Sequence, residues 1–198
     1  KNKEAGVMDS LKQMIIEQGE VREGNILKVD SFLNHQINPE FLYRMGEKFY
    51  ELFKDKEITK ILTIEVSGIA VALMAGLIFK VPVVFAKKTE SLNLDKDIYS
   101  GKVFSYTKNK EYNIMISKRY LDGGDKILII DDFLAEGNAI RGLIDVAQQS
   151  GAEIKGIGIA IEKGFQQGGK LLRDEGYNLK SLVIVDELKP GSIKFRDQ

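Results

Sequence analysis

"ILIIDDFLAEGNAIRGLIDVAQ", Ile127 to Gln148, decides the fold. It opens as a near-continuous apolar run rich in isoleucine, the pattern of a strand covered on both faces. It closes as a helical pattern, Ala139 to Ser150, stopped by Gly151. Two adjacent acids, Asp131 and Asp132, stand where the strand is expected to stop, and a short turn with one glycine, Gly137, leads to the helix. Aspartate is poor inside strands and costly to bury without a partner. An ionised carboxylate only accepts hydrogen bonds, so the pair suits sugar hydroxyls or a metal ion. The residues Ala135, Glu136, Gly137, Asn138 and Ala139 then offer free backbone N–H groups and the positive end of a helix dipole, which attract a phosphate. Gly137 lets the backbone approach that anion closely. Together the pieces form a cradle for a ribose 5-phosphate. By residue type alone, the acids read equally well as a cap and a turn, because aspartate is common at such corners.

The flanking sequence repeats the strand-then-helix theme. "KILTIEV" (60–66), "PVVFA" (82–86), "GIGIAIE" (156–162) and "SLVIVD" (181–186) are short apolar runs, and helical patterns at Ser67 to Lys80 and Gln167 to Glu175 separate most of them. Such alternation predicts an α/β fold with a doubly wound, mostly parallel sheet. Upstream, "NPEFLYRMGEKFYELFK" is a strong helix: Asn38 caps it, Pro39 takes its first position, and Phe41, Leu42, Met45, Phe49, Leu52 and Phe53 form its buried stripe. Asp9 is placed to cap an earlier helix stopped by Gly19, and Asn25 to Asn38 reads as extended and loop-like. The polar stretch Lys87 to Glu111 interrupts the alternation, with "KVFSYT" and "YNIMIS" (112–117) alternating like a β-hairpin. Long insertions of this kind are usually functional lids or disordered. Residues 1–7 have no helical or strand period and read as a remnant or upstream extension.

Composition narrows the chemistry. With 198 residues and 43% hydrophobic content, one domain with a real core is expected. Lys plus Arg and Asp plus Glu both number 29, so there is no basic excess for coating nucleic acid. The absence of cysteine excludes disulfides and thiol catalysis, and the single histidine, His35, argues against a histidine metal site or a Ser-His-Asp triad. His35 itself reads as a surface or structural residue. No apolar run spans a membrane and no signal-peptide pattern occurs, so a cytoplasmic protein is the default expectation.

Ligands of an open α/β sheet bind beyond the carboxyl ends of its strands, which makes each such loop a candidate. Val66, Ser67 and Gly68 form a second strand–turn–helix corner with N–H groups to offer, although Ser-Gly caps many helices with no ligand. Lys87 and Lys88 end a third strand and would neutralise a pyrophosphate, or else form a solvated pair. Lys163 and Phe165 end a fourth. A lysine there donates to a carbonyl and a phenylalanine stacks on a flat ring, as Phe133 would too; each is otherwise a surface cation or a core ring. Asn34 carries both donor and acceptor and suits a purine edge.

"LIIDDFLAEGNA" resembles the phosphoribosyl-diphosphate (PRPP) motif of type I phosphoribosyltransferases. "ILKVDSFLNHQINP", "ITKILTIEVSGIAVALMAGL", "VPVVFAKK", "SGAEIKGIGIAIEKGFQQGG" and "GYNLKSLVIVD" extend the resemblance, from about Met8 to the C-terminus, to the bacterial xanthine phosphoribosyltransferase family. The resemblance implies phosphoribosyl transfer from PRPP to xanthine with Mg²⁺, a role in purine salvage, and a homodimer. It implies that Asp131 and Asp132 meet the ribose hydroxyls and the Mg²⁺-associated shell, that 135–139 bind the 5′-phosphate, and that Val66 to Gly68 and Lys88 face pyrophosphate. Leu27, Asn34 and Lys163 match xanthine-contacting positions. It further implies a single domain over 8–198, with an N-terminal hood at about 8–37 and a flexible flap at about 87–117. Where many relatives carry a Thr-Gly pair and a closing threonine, this chain has Glu136, Gly137 and Ala139, so phosphate binding falls to backbone N–H groups. Ala135 replaces an acid of the hypoxanthine–guanine branch, which leaves the proton-transfer partner open. The rival readings are a guanine or hypoxanthine enzyme and a non-catalytic PRPP-sensing regulator. The regulator normally needs a DNA-binding module, for which little chain precedes the first core helix. A dinucleotide-binding domain lacks its G-x-G-x-x-G after the first strand.

Overall fold

The computed structural model describes residues 6–88, 97–105, 110–189 and 191–197. In chain order its elements are α1 (Val7–Gln18), β1 (Glu20–Arg22), β2 (Ile26–Lys28), α2 (Pro39–Phe53), β3 (Lys60–Ile64), α3 (Gly68–Phe79), β4 (Val83–Ala86), β5 (Ile98–Ser105), β6 (Lys110–Ser117), β7 (Lys126–Leu134), α4 (Asn138–Ser150), β8 (Glu153–Lys163), α5 (Gly168–Asp174), β9 (Leu179–Lys189) and β10 (Ser192–Phe195). Among the described residues the main sheet has six strands in the order β10-β9-β8-β7-β3-β4. All neighbours are parallel except the edge strand β10, which pairs antiparallel with β9. The expected doubly wound sheet is therefore present.

Alternate residues of the strands feed two cores. On one face Ile61, Leu128, Ile130, Ala160 and Leu182 pack with α1, α2 and α3; on the other Leu62, Ile127, Ile129, Ile157 and Ile159 pack with α4, α5 and the β5–β6 hairpin. The glycines of "GIGIAIE" admit α2. A Cβ on Gly156 would lie 2.4 Å from a Phe53 ring carbon, and one on Gly158 would lie 2.8 Å from the Phe49 ring. Asn38 caps α2 as its side chain predicts, accepting the Phe41 N–H at 3.1 Å.

Several expectations shift. Val7 lies inside α1 and packs against the core, so the reading of 1–7 as an extension ends before it; residues 1–5 lie outside the described residues. Asp9 sits in the first turn of α1, where its charge suits the dipole, and not at the cap, which is Gly6. Asn25 to Asn38 is more structured than expected. β2 pairs antiparallel with β1, and a π-helical turn at Asp30–Asn34 buries Phe32 and Leu33, Phe32 meeting Phe41 edge-on at 6.4 Å. Burial of two large side chains outweighs the poor helical pattern of so short a segment. β7 does not stop at the acids: Phe133 and Leu134 still pair with Ile161 and Glu162 of β8. β10 was not expected; it follows the turn at Gly191, whose φ of 77° is left-handed.

The hairpin is present in its arms, β5 pairing with β6 from Ile98↔Ser117 to Ser105↔Lys110. Residues 89–96 and 106–109 of the expected flap lie outside the described residues. The arms are seated: Val103, Ile114 and Ile116 are buried, and the hairpin backbone touches α4 directly. A Cβ on Gly101 would lie 2.7 Å from the Gly142 carbonyl oxygen, and one on Gly142 would lie 2.5 Å from Val103. Among the described residues no helix is long and apolar enough to cross a membrane.

Candidate active site

β3 and β7 are sheet neighbours, so their carboxyl-end corners come together. Gly68, the first residue of α3, is the contact: a Cβ there would lie 2.7 Å from Asp131 Oδ1 and 2.4 Å from Thr63 Oγ1. Only glycine lets the helix start settle against the buried carboxylate. The turn before it contains a cis Glu65–Val66 peptide, and Val66 is 76% exposed. β4 adds the next loop. The Lys88 backbone N–H donates to Glu65 Oε1 at 2.5 Å, and Lys88 Nζ lies 5.5 Å from the centroid of the Tyr112 ring. Lys87 is held by the hairpin instead, exchanging backbone hydrogen bonds of 3.0 and 2.9 Å with Met115.

Beyond Leu134 the chain turns into α4 through Gly137, whose φ of 87° is left-handed. The N-cap, Gly137, makes no side-chain bond to the first N–H groups of this helix. Asn138 Nδ2 donates to the Phe104 carbonyl at 3.1 Å and ties the loop to the hairpin. Gly168 N–H donates to the Ala135 carbonyl at 3.1 Å and ties it to α5.

The carboxylates are electrostatically unusual. Asp131 is 4% exposed and Asp132 is half-buried. Burial pushes Asp131 well above the ordinary carboxylate range, the Asp132 charge adds to this, and the Asp132 N–H, donating to Asp131 Oδ1 at 3.0 Å, and Lys88 oppose it. Burial also raises Asp132, against hydrogen bonds and the Lys88 charge. Among the described residues no lysine or arginine forms an ion pair with either acid. Two under-compensated carboxylates fit a divalent cation. Yet no cluster of three or more His, Cys, Asp or Glu able to hold a metal occurs among the described residues. Two carboxylates alone are too few donors for a cation cage built by the described residues.

Next to this corner is a cleft of about 440 Å³, lined by Phe133, Leu134, residues 135–140, Lys163 and Gln166, with Gly24 and Ile26 of the N-terminal hairpin and Val103, Phe104 and Tyr112 of the β5–β6 hairpin. Lys163 Nζ donates to the Asn25 carbonyl at 3.0 Å, and burial lowers its pKa. The structure thus brings Lys163, Phe133 and the 135–139 loop together. Asp131, Asp132, Lys88 and the Val66–Gly68 turn stand beside them at the neighbouring strand ends. Leu27 does not line the cleft: its side chain is in the core, and Ile26 faces the cleft instead. Asn34 is exposed at the end of the π-helical turn, and Phe165 packs on the core; neither lines the cleft. For Leu27 against Ile26 the β1–β2 pairing decides the facing, since adjacent strand residues face opposite sides. Sequence reasoning passed over Gln166 and Tyr112. Gln166 sits three residues after Lys163 on the same strand-end loop, which was a usable signal; Tyr112 needed the hairpin's docking on α4 to be known.

Solved structures share this architecture. The adenine phosphoribosyltransferase of Thermoanaerobacter pseudethanolicus superposes with a TM-score of 0.75 at 19% identity, covering 89% of this chain and 99% of that one. The Giardia lamblia enzyme complexed with 9-deazaadenine gives 0.74 at 20% identity, covering 89% and 97%. The fold is that of the type I phosphoribosyltransferases. No family model matches the chain. Curated relatives are far closer in sequence: xanthine phosphoribosyltransferase 1 of Clostridium perfringens is 54% identical over 190 residues, 96% of this chain and all of the relative. The xanthine phosphoribosyltransferases of Ruminiclostridium cellulolyticum and Bifidobacterium adolescentis are 55% and 54% identical, each again over 96% of this chain. The chain belongs to the xanthine phosphoribosyltransferase family.

Proposed function

We propose that the protein transfers the 5-phosphoribosyl group of PRPP to xanthine, giving xanthosine 5′-monophosphate and pyrophosphate in purine salvage. The observation that supports this most is the Asp131–Asp132 pair set just before the uncapped start of α4, beside a cleft that ends at Lys163. The 5′-phosphate lies on the N–H groups of 135–139, where the dipole of α4 favours it. The ribose hydroxyls donate to Asp131 and Asp132. Pyrophosphate faces the Val66–Gly68 turn and Lys88. Mg²⁺ carried by PRPP would stand near Asp131 and Asp132 and neutralise charge on the leaving pyrophosphate.

In the reaction a xanthine ring nitrogen forms a bond to C1′ of the ribose as the C1′–oxygen bond to pyrophosphate breaks, and the base's N–H proton passes to solvent. The transition state is oxocarbenium-like, as in glycoside chemistry. Among the described residues no side chain at the site is placed as a covalent nucleophile. The residues act by holding the reactants and by electrostatics: Lys88 towards the leaving group, Lys163 towards a ring carbonyl. Glu136 turns its charge from the phosphate, since like charges at contact repel. The hood and the hairpin arms β5 and β6 narrow water's access to the reacting carbon, where water would otherwise capture the ribosyl group.

The same reading makes the protein a cytoplasmic homodimer. α3 is apolar on all sides, yet Leu73 and Leu77 are 54% and 61% exposed, and Phe85 of β4 is exposed too. A helix apolar all round is normally covered, and a second copy supplies the cover.

A pyrophosphate-release assay with PRPP, Mg²⁺ and xanthine, hypoxanthine or guanine tests the reaction. Xanthine gives the highest kcat/KM. A clear preference for another base, or no release with any base, overturns the proposal. Asp132→Asn leaves the fold intact and lowers turnover by about 10²–10³-fold, the scale of removing a group aimed at transition-state charge.

A further inference from the structure

Gln166 is the one cleft-lining side chain among the described residues with a buried polar atom that has no hydrogen-bond partner. Its Oε1 is shielded from solvent and meets no donor. An orphaned acceptor of this kind is costly, and a donor that meets it once the Gln166 amide turns to face the cleft recovers that cost. The position is firmly held. The Gln166 N–H donates to the Lys163 carbonyl at 2.9 Å, closing a tight turn that puts both side chains on one loop. That loop is fastened to the phosphate loop through the Gly168 N–H and the Ala135 carbonyl. Gly168 has no room for a side chain: a Cβ would lie 2.3 Å from the Ala135 oxygen.

The chemistry of the ligand decides what donates to Gln166. Phosphate oxygens are acceptors and would be repelled by Oε1. The ribose hydroxyls have Asp131 and Asp132, and neither acid lines this cleft. What remains is a ring N–H of the base. Lys163 supplies a cationic donor and Gln166 an acceptor from the same turn, which complements adjacent C=O and N–H groups on a flat ring.

We infer that Gln166 is a specificity-determining residue that accepts a hydrogen bond from a ring N–H of the base while Lys163 donates to the neighbouring carbonyl. The pair reads a lactam edge. Xanthine, hypoxanthine and guanine present one; adenine has neither a ring carbonyl nor the N–H beside it. This rests on the cleft being the base site of the proposed reaction.

The test is steady-state kinetics with PRPP and Mg²⁺. Gln166→Leu removes the acceptor at similar size and lowers kcat/KM for xanthine by roughly 10–100-fold, with the KM for PRPP unchanged within about twofold. Gln166→Glu keeps an acceptor and retains most of the xanthine activity. Methylated bases give an independent readout in the intact protein. Either 1-methylxanthine or 3-methylxanthine, lacking the N–H read by Gln166, is a poor substrate, and Gln166→Leu narrows the gap between that analogue and xanthine. Equal loss for xanthine and PRPP, or an unchanged ratio of xanthine to both analogues in the variant, overturns the inference. Absence of xanthine turnover in the unsubstituted protein would instead overturn the proposed reaction.

Discussion

Replacing Asp131 by asparagine should make the ligand-free protein more stable while weakening its function. The carboxylate is 4% exposed, accepts one backbone N–H bond at 3.0 Å, and has Asp132 as its sequence neighbour. Its folded-state pKa is raised above the unfolded value, so the native state holds the proton more tightly than the unfolded chain does. Stability therefore falls as pH rises from near 4 up through the raised pKa, and the full penalty applies above it. Each unit of such a shift is worth about 1.4 kcal/mol. Asn has nearly the same shape, keeps an oxygen for the Asp132 N–H, and removes the charge. Relief of the buried charge, less the Lys88 attraction lost with it, makes the gain on the order of 1–3 kcal/mol. For a chain of this size that is roughly 2–4 °C in Tm per kcal/mol. Thermal melts across pH 5–8.5 in a metal-free buffer measure it. The variant melts higher at the alkaline end, and its Tm changes less with pH. PRPP with Mg²⁺ raises the Tm of the parent protein far more than that of Asp131→Asn. A variant that melts lower at pH 8, or keeps the parent's pH slope, refutes the assignment of Asp131 as a strained carboxylate held for a ligand.

Other substitutions probe the remaining parts. Lys163→Ala raises the KM for xanthine by about tenfold or more and moves the KM for PRPP little, as expected for loss of a charged hydrogen-bond donor; equal changes in both argue against base reading. Gly137→Ala forces a side chain into a left-handed position and to 3.3 Å from the Gly168 Cα, losing about 1–2 kcal/mol in thermal or urea melts and weakening PRPP binding. Leu73→Glu combined with Leu77→Glu places charge on the exposed face of α3 and yields a monomer by sedimentation; a persistent dimer moves the interface elsewhere.

Legibility followed the range of the forces involved. Continuous isoleucine and valine runs reported strands buried on both faces, and "NPE" reported a helix start, because both signals are local. The Asp131–Asp132 pair and Gly137 were equally visible as a corner, although by residue type alone acids there read as well as a cap and a turn. The end of β7 was misplaced because its ladder with β8 overrides the poor strand propensity of aspartate. The π-helical turn at Asp30–Asn34 was hidden because its stability comes from Phe32 packing on α2, a contact no local pattern reports. Facing was the hardest property. Leu27 is a buried member of a two-strand pair, and only the register with β1 tells that Ile26 looks into the cleft.

The contact between Gly101 and Gly142 has a mechanical consequence. Main chain meets main chain there, with no side chain between to bend or change rotamer. Asn138 adds a tether from the first turn of the same helix to Phe104. The hairpin arms and α4 are thus held together at two points, Gly101–Gly142 and Asn138–Phe104. A shift of α4 at that contact would carry β5 with it and, through the β5–β6 pairing, the Met115 bonds that hold Lys87.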